Sequence, residues 1–222
     1  MENRLKREFF TRDTLEVARD LLGRYLVRKI GKNKLVGKIV ETEAYIGPKD
    51  KAAHSYKGKI TERNKAEYLI GGCIYIYLVY GMYWQLNITT NKEGKPECVL
   101  IRALEPKISN LPQLIPNAGI DSDRITQCRG LTTSGVGFVE KLSDIRNLAN
   151  GPGKLCRWLK LDKSFYGEDL TKSKRIWLER GEKVRLFQIA ETKRIGIDYA
   201  GPYWSKRKWR FYIKGNSFVS KK

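Results

Sequence analysis

The sequence is poor in the residues that build metal centres: one histidine and four cysteines in 222 residues. Cys73, Cys98, Cys128 and Cys156 stand singly, with no C-x-x-C pair, and His54 has no second histidine with which to form a relay. Zinc held by Cys and His needs ligands at short paired spacings, so no metal site is expected, and the thiols read as small, reduced and at least half-buried. A leader is also lacking, because the stretch from Met1 to Glu8 has neither an apolar core nor a small-residue cleavage site. The most apolar stretch, Cys73 to Trp84, is too short to cross a bilayer, and four tyrosines interrupt it. An intracellular chain with no membrane partner is expected, placed in the cytoplasm or nucleoid of a prokaryote or the nucleus of a eukaryote. Acid is scarce too: 24 Asp and Glu face 44 Lys and Arg, a formal net charge of +20. So large an excess repels itself within a folded protein, and a polyanionic partner is its natural reason.

What is present suits a globular fold. Hydrophobic residues make up 41% and aromatics 11%, enough for one compact domain spanning residues 1–222. Thr11 to Leu22 has helical periodicity, with Thr11 as its cap and Gly23 at its end. Strand patterns follow at Arg24 to Ile30 and Lys34 to Tyr45, joined by the turn Gly31-Lys32-Asn33. A second hairpin is expected from Cys73 to Val79 and Tyr83 to Thr90, with its break at Tyr80-Gly81-Met82. Val99 to Leu104 reads as a buried strand, Leu111 to Asn150 as loop-rich with a short helix as an alternative, and Lys154 to Leu161 as helix. Further strands are expected at Ile176 to Glu179, Val184 to Ile189 and Trp209 to Lys214. Hairpin-grouped strands without strict helix alternation imply an α+β fold around a mostly antiparallel sheet.

Three groups could carry chemistry. On a strand, Glu41, Glu43 and Tyr45 share one face with Ile39, and a carboxylate desolvated among apolar neighbours can serve as a general base. The same two glutamates fit a solvated strand face, or the paired carboxyls of a sugar hydrolase. His54, in Ala52-Ala53-His54-Ser55, is either a satisfied polar residue or part of the same site. The run Tyr75 to Asn87 puts Tyr75 and Tyr77 on one face and Tyr80 and Met82 at a turn. Large apolar side chains at a turn either enter a partner, as wedges do in duplex DNA, or tuck under a loop. Gly151-Pro152-Gly153-Lys154 could hold a backbone phosphate at a helix start, or be only that start. Thr61-Glu62-Arg63-Asn64 and Lys206 to Arg210 are further phosphate candidates, the second equally a solvated cluster.

Glu-Thr-Glu-Ala-Tyr at 41–45, Ala-Ala-His-Ser at 52–55 and Tyr-Gly-Met-Tyr at 80–83, in this order, resemble the alkyladenine (3-methyladenine) DNA glycosylase family. The similarity extends through Val99 to Pro106, Gly151 to Leu159, Trp177 to Gly181, Arg194 to Ile197 and Arg210 to Tyr212. It implies a single mixed domain around a curved antiparallel sheet from which the aromatic hairpin protrudes, and a base-excision repair enzyme acting on duplex DNA that contains alkylated or deaminated purines. Glu43 would then activate the attacking water, with Arg102 and the Ile195 carbonyl holding it. Tyr45, His54 and Tyr77 would stack on the flipped base, backbone groups near Ala52 and His54 would read its edge, and Asn87 would crowd the amino group of guanine. Tyr80 would fill the gap in the duplex, with Met82 and Tyr83 beside it, while Thr61, Arg63, Gly153 and Lys154 would contact the DNA backbone. The resemblance implies no cofactor, and a monomer is expected. Trp84-Gln85-Leu86 is bulkier and more polar than the family pattern. Two rivals from other classes are a non-catalytic nucleic-acid-binding module with a tyrosine stacking platform, which leaves Glu43, His54 and Arg102 unexplained, and a small-molecule nucleoside hydrolase, which leaves the charge and the wedge unexplained.

Overall fold

A computed structural model of the chain describes residues 3–107 and 145–221. Two short helices, α1 (Arg7–Phe10) and α2 (Thr14–Asp20), precede the hairpin of β1 (Tyr25–Ile30) and β2 (Asn33–Ile46). The aromatic hairpin, β3 (Ile74–Val79) and β4 (Tyr83–Thr89), leads to β5 (Glu97–Pro106). Helix α3 (Pro152–Trp158) is followed by β6 (Ile176–Glu179), β7 (Ile189–Thr192), α4 (Pro202–Ser205) and β8 (Arg210–Ile213). The strands form one eight-stranded sheet in the order β3-β4-β5-β2-β1-β6, with β8 paired to β2 and β7. Every pairing is antiparallel, so the architecture is α+β as expected.

Helix α2 covers one face of the sheet. Val17 and Ala18, with Leu21 and Leu22 just beyond it, bury against Ile39, Ala44, Val99, Ile101 and Phe211. Each such fully buried aliphatic or aromatic side chain contributes about 1.5–3 kcal/mol relative to leaving it in water. The cap is Asp13, not Thr11: its carboxylate accepts from the Leu15 and Glu16 amides at 2.9 and 3.2 Å. Thr11 instead ends α1, where its amide reaches the Arg7 carbonyl at 3.2 Å. Two nearby helical turns with different caps had merged into one periodic stretch in the sequence.

The strand expected at Val184 to Ile189 is also corrected. Residues Leu186–Gln188 form a 3-10 turn, clasped by the Arg185 amide donating to the Gln188 side chain at 2.9 Å, and the strand begins only at Ile189. Leu186 and Phe187 are exposed, so the apolar alternation there marked surface residues and not a buried face. The expected loop from Leu111 to Asn150 falls largely on residues outside those described, as does Cys128; Cys73, Cys98 and Cys156 are buried free thiols. No helix of the described residues is long and apolar enough to cross a membrane.

The longest strand positions the site. Its first half pairs with β1, its second with β8, and β5 runs along both. The β2–β5 register shifts between Ile39 and Thr42. That irregularity turns Ile39 into the core with Ala44, away from Glu41, Glu43 and Tyr45, correcting the shared face read from simple alternation.

Candidate active site

Strand β2 holds Glu43 just behind the wall of a cleft of about 310 Å³, lined among others by Tyr45, His54, Tyr77, Asn87, Arg102 and Ile195. Glu43 is fully buried. Its Oε1 accepts from the Ile195 amide at 2.8 Å and lies 3.3 Å from Arg102 Nη1, while Oε2 accepts from the Tyr45 hydroxyl at 2.9 Å. Burial raises its pKa above the usual carboxylate range, and nearby Glu41 adds to this; Arg102, Ile195 and Tyr45 pull the other way without cancelling it. A carboxylate so placed can accept a proton from water.

Glu41, two residues earlier, is built differently. Arg102 Nε and Arg210 Nε each donate to its Oε1 at 2.8 Å, the Ser220 hydroxyl donates to the same oxygen at 2.9 Å, and the Ser220 amide meets Oε2 at 2.7 Å. Burial works against its charge, but Arg102, Ser220 and Arg210 outweigh it and hold the pKa low. Glu41 is therefore a counter-ion for two buried guanidinium groups, which removes both the solvated-face and the paired-carboxyl readings. Arg102 is correspondingly held cationic by Glu43 and Glu41 despite its own burial. Arg210 leaves the list of phosphate candidates, since it is spent inside the protein.

The aromatic walls come from separate elements. Tyr77 lies on β3, and His54 stands edge-on to it with ring centres 4.6 Å apart. His54 Nδ1 and the Tyr75 hydroxyl are 2.6 Å apart, so Tyr75 orients the imidazole from inside the core. Crowding by the cleft walls, then Arg63, lowers the His54 pKa to about 4, and the ring is neutral at pH 7. One edge of the ring still opens to water in the cleft. Asn87, buried on β4, donates to the Tyr75 carbonyl at 3.2 Å. Alternation along β4 turns Gln85 into the cleft beside it and Leu86 into the core, so the unusual Trp84-Gln85-Leu86 segment changes the pocket at Gln85 alone. The Ala52 amide is already bonded to Asp50 at 3.0 Å and is not a free donor for a base edge.

Beside the cleft, Tyr80 and Gly81 take φ of 53° and 68°, closing the β3–β4 turn with the Met82 amide on the Val79 carbonyl at 3.1 Å. Positive φ at both central residues is the hairpin geometry that matches strand twist, and it is costly for a bulky residue such as tyrosine. Tyr80 is 87% exposed and Met82 66%; Tyr83 is partly covered. The core-hairpin reading of this tip is thereby overturned.

The expected phosphate contacts fare unevenly. Arg63 reaches the Leu78 carbonyl at 3.0 Å and lies over the Tyr77 ring at 5.1 Å, so it braces the cleft. Thr61 is tied to Asn64 by its amide and hydroxyl at 2.6 and 2.9 Å. A Cβ at Gly153 would come within 3.0 Å of the Tyr83 ring, so close packing of α3 on the hairpin accounts for that glycine. Lys154 Nζ is exposed and bonded to Asn150 at 2.9 Å. Sequence reasoning missed Asp50 and Arg194, a fully buried ion pair whose guanidinium also bonds the Ala44 carbonyl at 3.0 Å and lies 4.7 Å from the Tyr45 ring centre. Arg194 immediately precedes Ile195, so this pair fixes the segment that touches Glu43.

The methylpurine-DNA glycosylase (MPG) family matches residues 8–217. A protein of Clostridium novyi is 46% identical over 220 residues, covering 99% of both chains, and one of Natranaerobius thermophilus is 42% identical over 217 residues, covering 98% of both. A third, from Borreliella burgdorferi, is 41% identical over 218 residues, 98% of this chain and all of its own. All three are provisionally named 3-methyladenine DNA glycosylases. With a match over almost its whole length, this chain belongs to the methylpurine-DNA glycosylase family and shares its general function, hydrolytic release of bases from DNA.

Proposed function

We propose that residues 1–222 act as one monomeric catalytic unit that flips alkylated or deaminated purines out of duplex DNA and hydrolyses their N-glycosidic bond with an activated water. The observation that carries this is Glu43: a fully buried carboxyl with a raised pKa, fixed by three donors at the wall of an aromatic cleft. Water attacks C1′ of the flipped nucleotide and gives a proton to Glu43. The C1′–N9 bond breaks, and its electron pair leaves with the purine. Arg102 and the Ile195 backbone hold the water and the carboxylate in register. Tyr45, His54 and Tyr77 stack on the base, at about 1–3 kcal/mol per aromatic contact, which offsets much of the unstacking cost. Asn87 disfavours guanine by crowding its amino group. Tyr80, held out at a strained turn, plugs the vacated stack with Met82 and Tyr83 beside it. Backbone contacts fall to exposed cations such as Lys154 and to the Thr61 and Gly153 turns, and log affinity should fall linearly with log salt.

The test is direct. Duplex oligonucleotides containing hypoxanthine or an alkylated purine should yield free base and an abasic strand that breaks only on later alkali treatment. A borohydride-trapped protein–DNA adduct would place a lysine or amine nucleophile at C1′ instead. Tight lesion binding without base release would support the non-catalytic module.

A further inference from the structure

Five carboxylates are buried among the described residues: Glu41, Glu43, Asp50, Glu67 and Glu97. Four have a cationic partner, Arg102 or Arg210 for Glu41, Arg102 for Glu43, Arg194 for Asp50 and Lys95 for Glu97. Glu67 has none. It sits on the 3-10 turn Lys65–Tyr68, only 2% exposed, in the wall of the cleft that Tyr45, His54, Tyr77 and Asn87 line. Ser55 is its hydrogen-bonding neighbour, yet its Oε2 is buried without a partner. Burying such an oxygen unpaired is costly, so the group that completes it belongs to whatever enters the cleft.

Resting on the function proposed above, we propose that Glu67 is a specificity-determining residue of the base pocket: its carboxylate is a counter-charge that selects purines made cationic by alkylation of a ring nitrogen over neutral deaminated ones such as hypoxanthine. Tyr75 and Tyr77 of β3, Cys98 of β5, Asp50 and Tyr166 face it, and Arg63 lies on the same wall. The tyrosine and cysteine protons are pushed up, and His54 loses its proton near pH 4, so none of these groups changes charge around neutrality. Glu67 does: burial first, then Asp50, raise its carboxyl to about 7 against the pull of Ser55. Preference for cationic bases therefore grows as pH rises through that point. The pair forms as the cationic base enters the pocket and persists while the base keeps its charge, so it contributes similarly to the bound ground state and to the transition state. Glu67 acts on KM more than on kcat.

The experiment compares kcat/KM for release of 3-methyladenine from methylated duplex DNA with that for hypoxanthine, on both sides of neutral pH, for wild type, Glu67→Gln and the volume-conserving Glu67→Met. Ionisation of Glu43 affects both substrates and cancels in the ratio. In wild type the ratio should rise by about tenfold with pH, the size of one charge-assisted hydrogen bond. Both variants should hold it flat at the low-pH value, through a raised KM for 3-methyladenine with little change in saturated rate. A wild-type ratio that does not move with pH overturns the proposal without any mutant. So does a folded Glu67→Gln that keeps the pH dependence or loses both substrates equally. Release of neither base by wild type would instead bring down the glycosylase reading, and this one with it.

Discussion

In the cleft, both oxygens of Glu43 meet donors, and the groups around it are themselves tied to second partners: Arg102 to Glu41, Arg194 to Asp50, His54 to Tyr75. At the tip of the β3–β4 hairpin, three residues beyond Tyr77 on the same stretch of chain, Tyr80 and Met82 stand in solvent on a turn that tyrosine adopts at a cost. The two regions answer opposite demands. A group that must hold a defined protonation state is buried and over-determined by its neighbours, because a low dielectric magnifies every charge and every missing partner. A group that must enter another molecule has to be left without partners of its own, and local backbone strain is tolerated to keep it there. Substitutions in the first region should therefore change chemistry or stability, and those in the second should leave stability intact and act only once DNA is bound.

The largest effect is expected from Glu43→Gln. Single-turnover base release should fall by about 10²–10⁴-fold, the usual reach of a general base, while gel-shift affinity for a lesion duplex stays near that of wild type. A near-normal rate in this variant would remove Glu43 from the mechanism. For the wild type, the raised pKa of Glu43 predicts that activity rises with pH as this carboxyl ionises.

Glu41→Gln comes next and differs in kind. It leaves the Arg210 charge buried without its counter-ion and Arg102 with Glu43 alone, and breaking such a pair costs about 3–5 kcal/mol, read as a fall in Tm. The rate per folded molecule should suffer far less than in Glu43→Gln; equal losses would mean that the two carboxylates act together after all.

Tyr80→Ser should leave Tm unchanged, since its ring touches little in the free protein. It should slow base release, most for lesions that pair well, because these gain least from their own instability. A stability loss of about 3–5 kcal/mol with a normal rate would put the ring in the core and abolish the contrast between cleft and tip.

The smallest effect concerns His54. Its folded pKa of about 4 lies below its ordinary value of 6.5, so the fold favours the neutral ring. The stability this contributes is fully present above pH 6.5 and is lost as pH falls toward 4. Thermal melting across that window should decline less in His54→Gln than in wild type, with the two converging above it; parallel curves would show that the ring titrates freely in the cleft.

How much of this was legible beforehand depended on distance along the chain. Strand alternation, the Gly31 turn and the aromatic hairpin are signals carried by neighbouring residues, and most strands lie within a residue or two of where those signals put them. Glu43, Tyr45, His54 and Tyr77 stood out in local patterns, while Asn87, Arg102 and Ile195 were singled out only through the family resemblance; all but Glu43 itself line the cleft to whose wall Glu43 is bonded. Local signals failed where two structures shared one pattern, as with the caps at Thr11 and Asp13, or where a single register shift inverted the alternation, as at Ile39.

By itself the sequence determined the antiparallel α+β character, the cationic surface and the chemical types available to the site, because periodicity, charge and side-chain chemistry are properties of the chain. Only the tertiary structure gave the two carboxylates different surroundings. Glu41 and Glu43 share a strand face two residues apart, and what separates them is Arg210 and Ser220, 169 and 179 residues away, against Ile195 at 152. The Asp50–Arg194 brace spans 144 residues, and Glu67 became visible only as a buried carboxyl without a cation. A pKa depends on burial and on which charges stand within a few ångströms, and neither quantity exists until the chain has brought distant segments together.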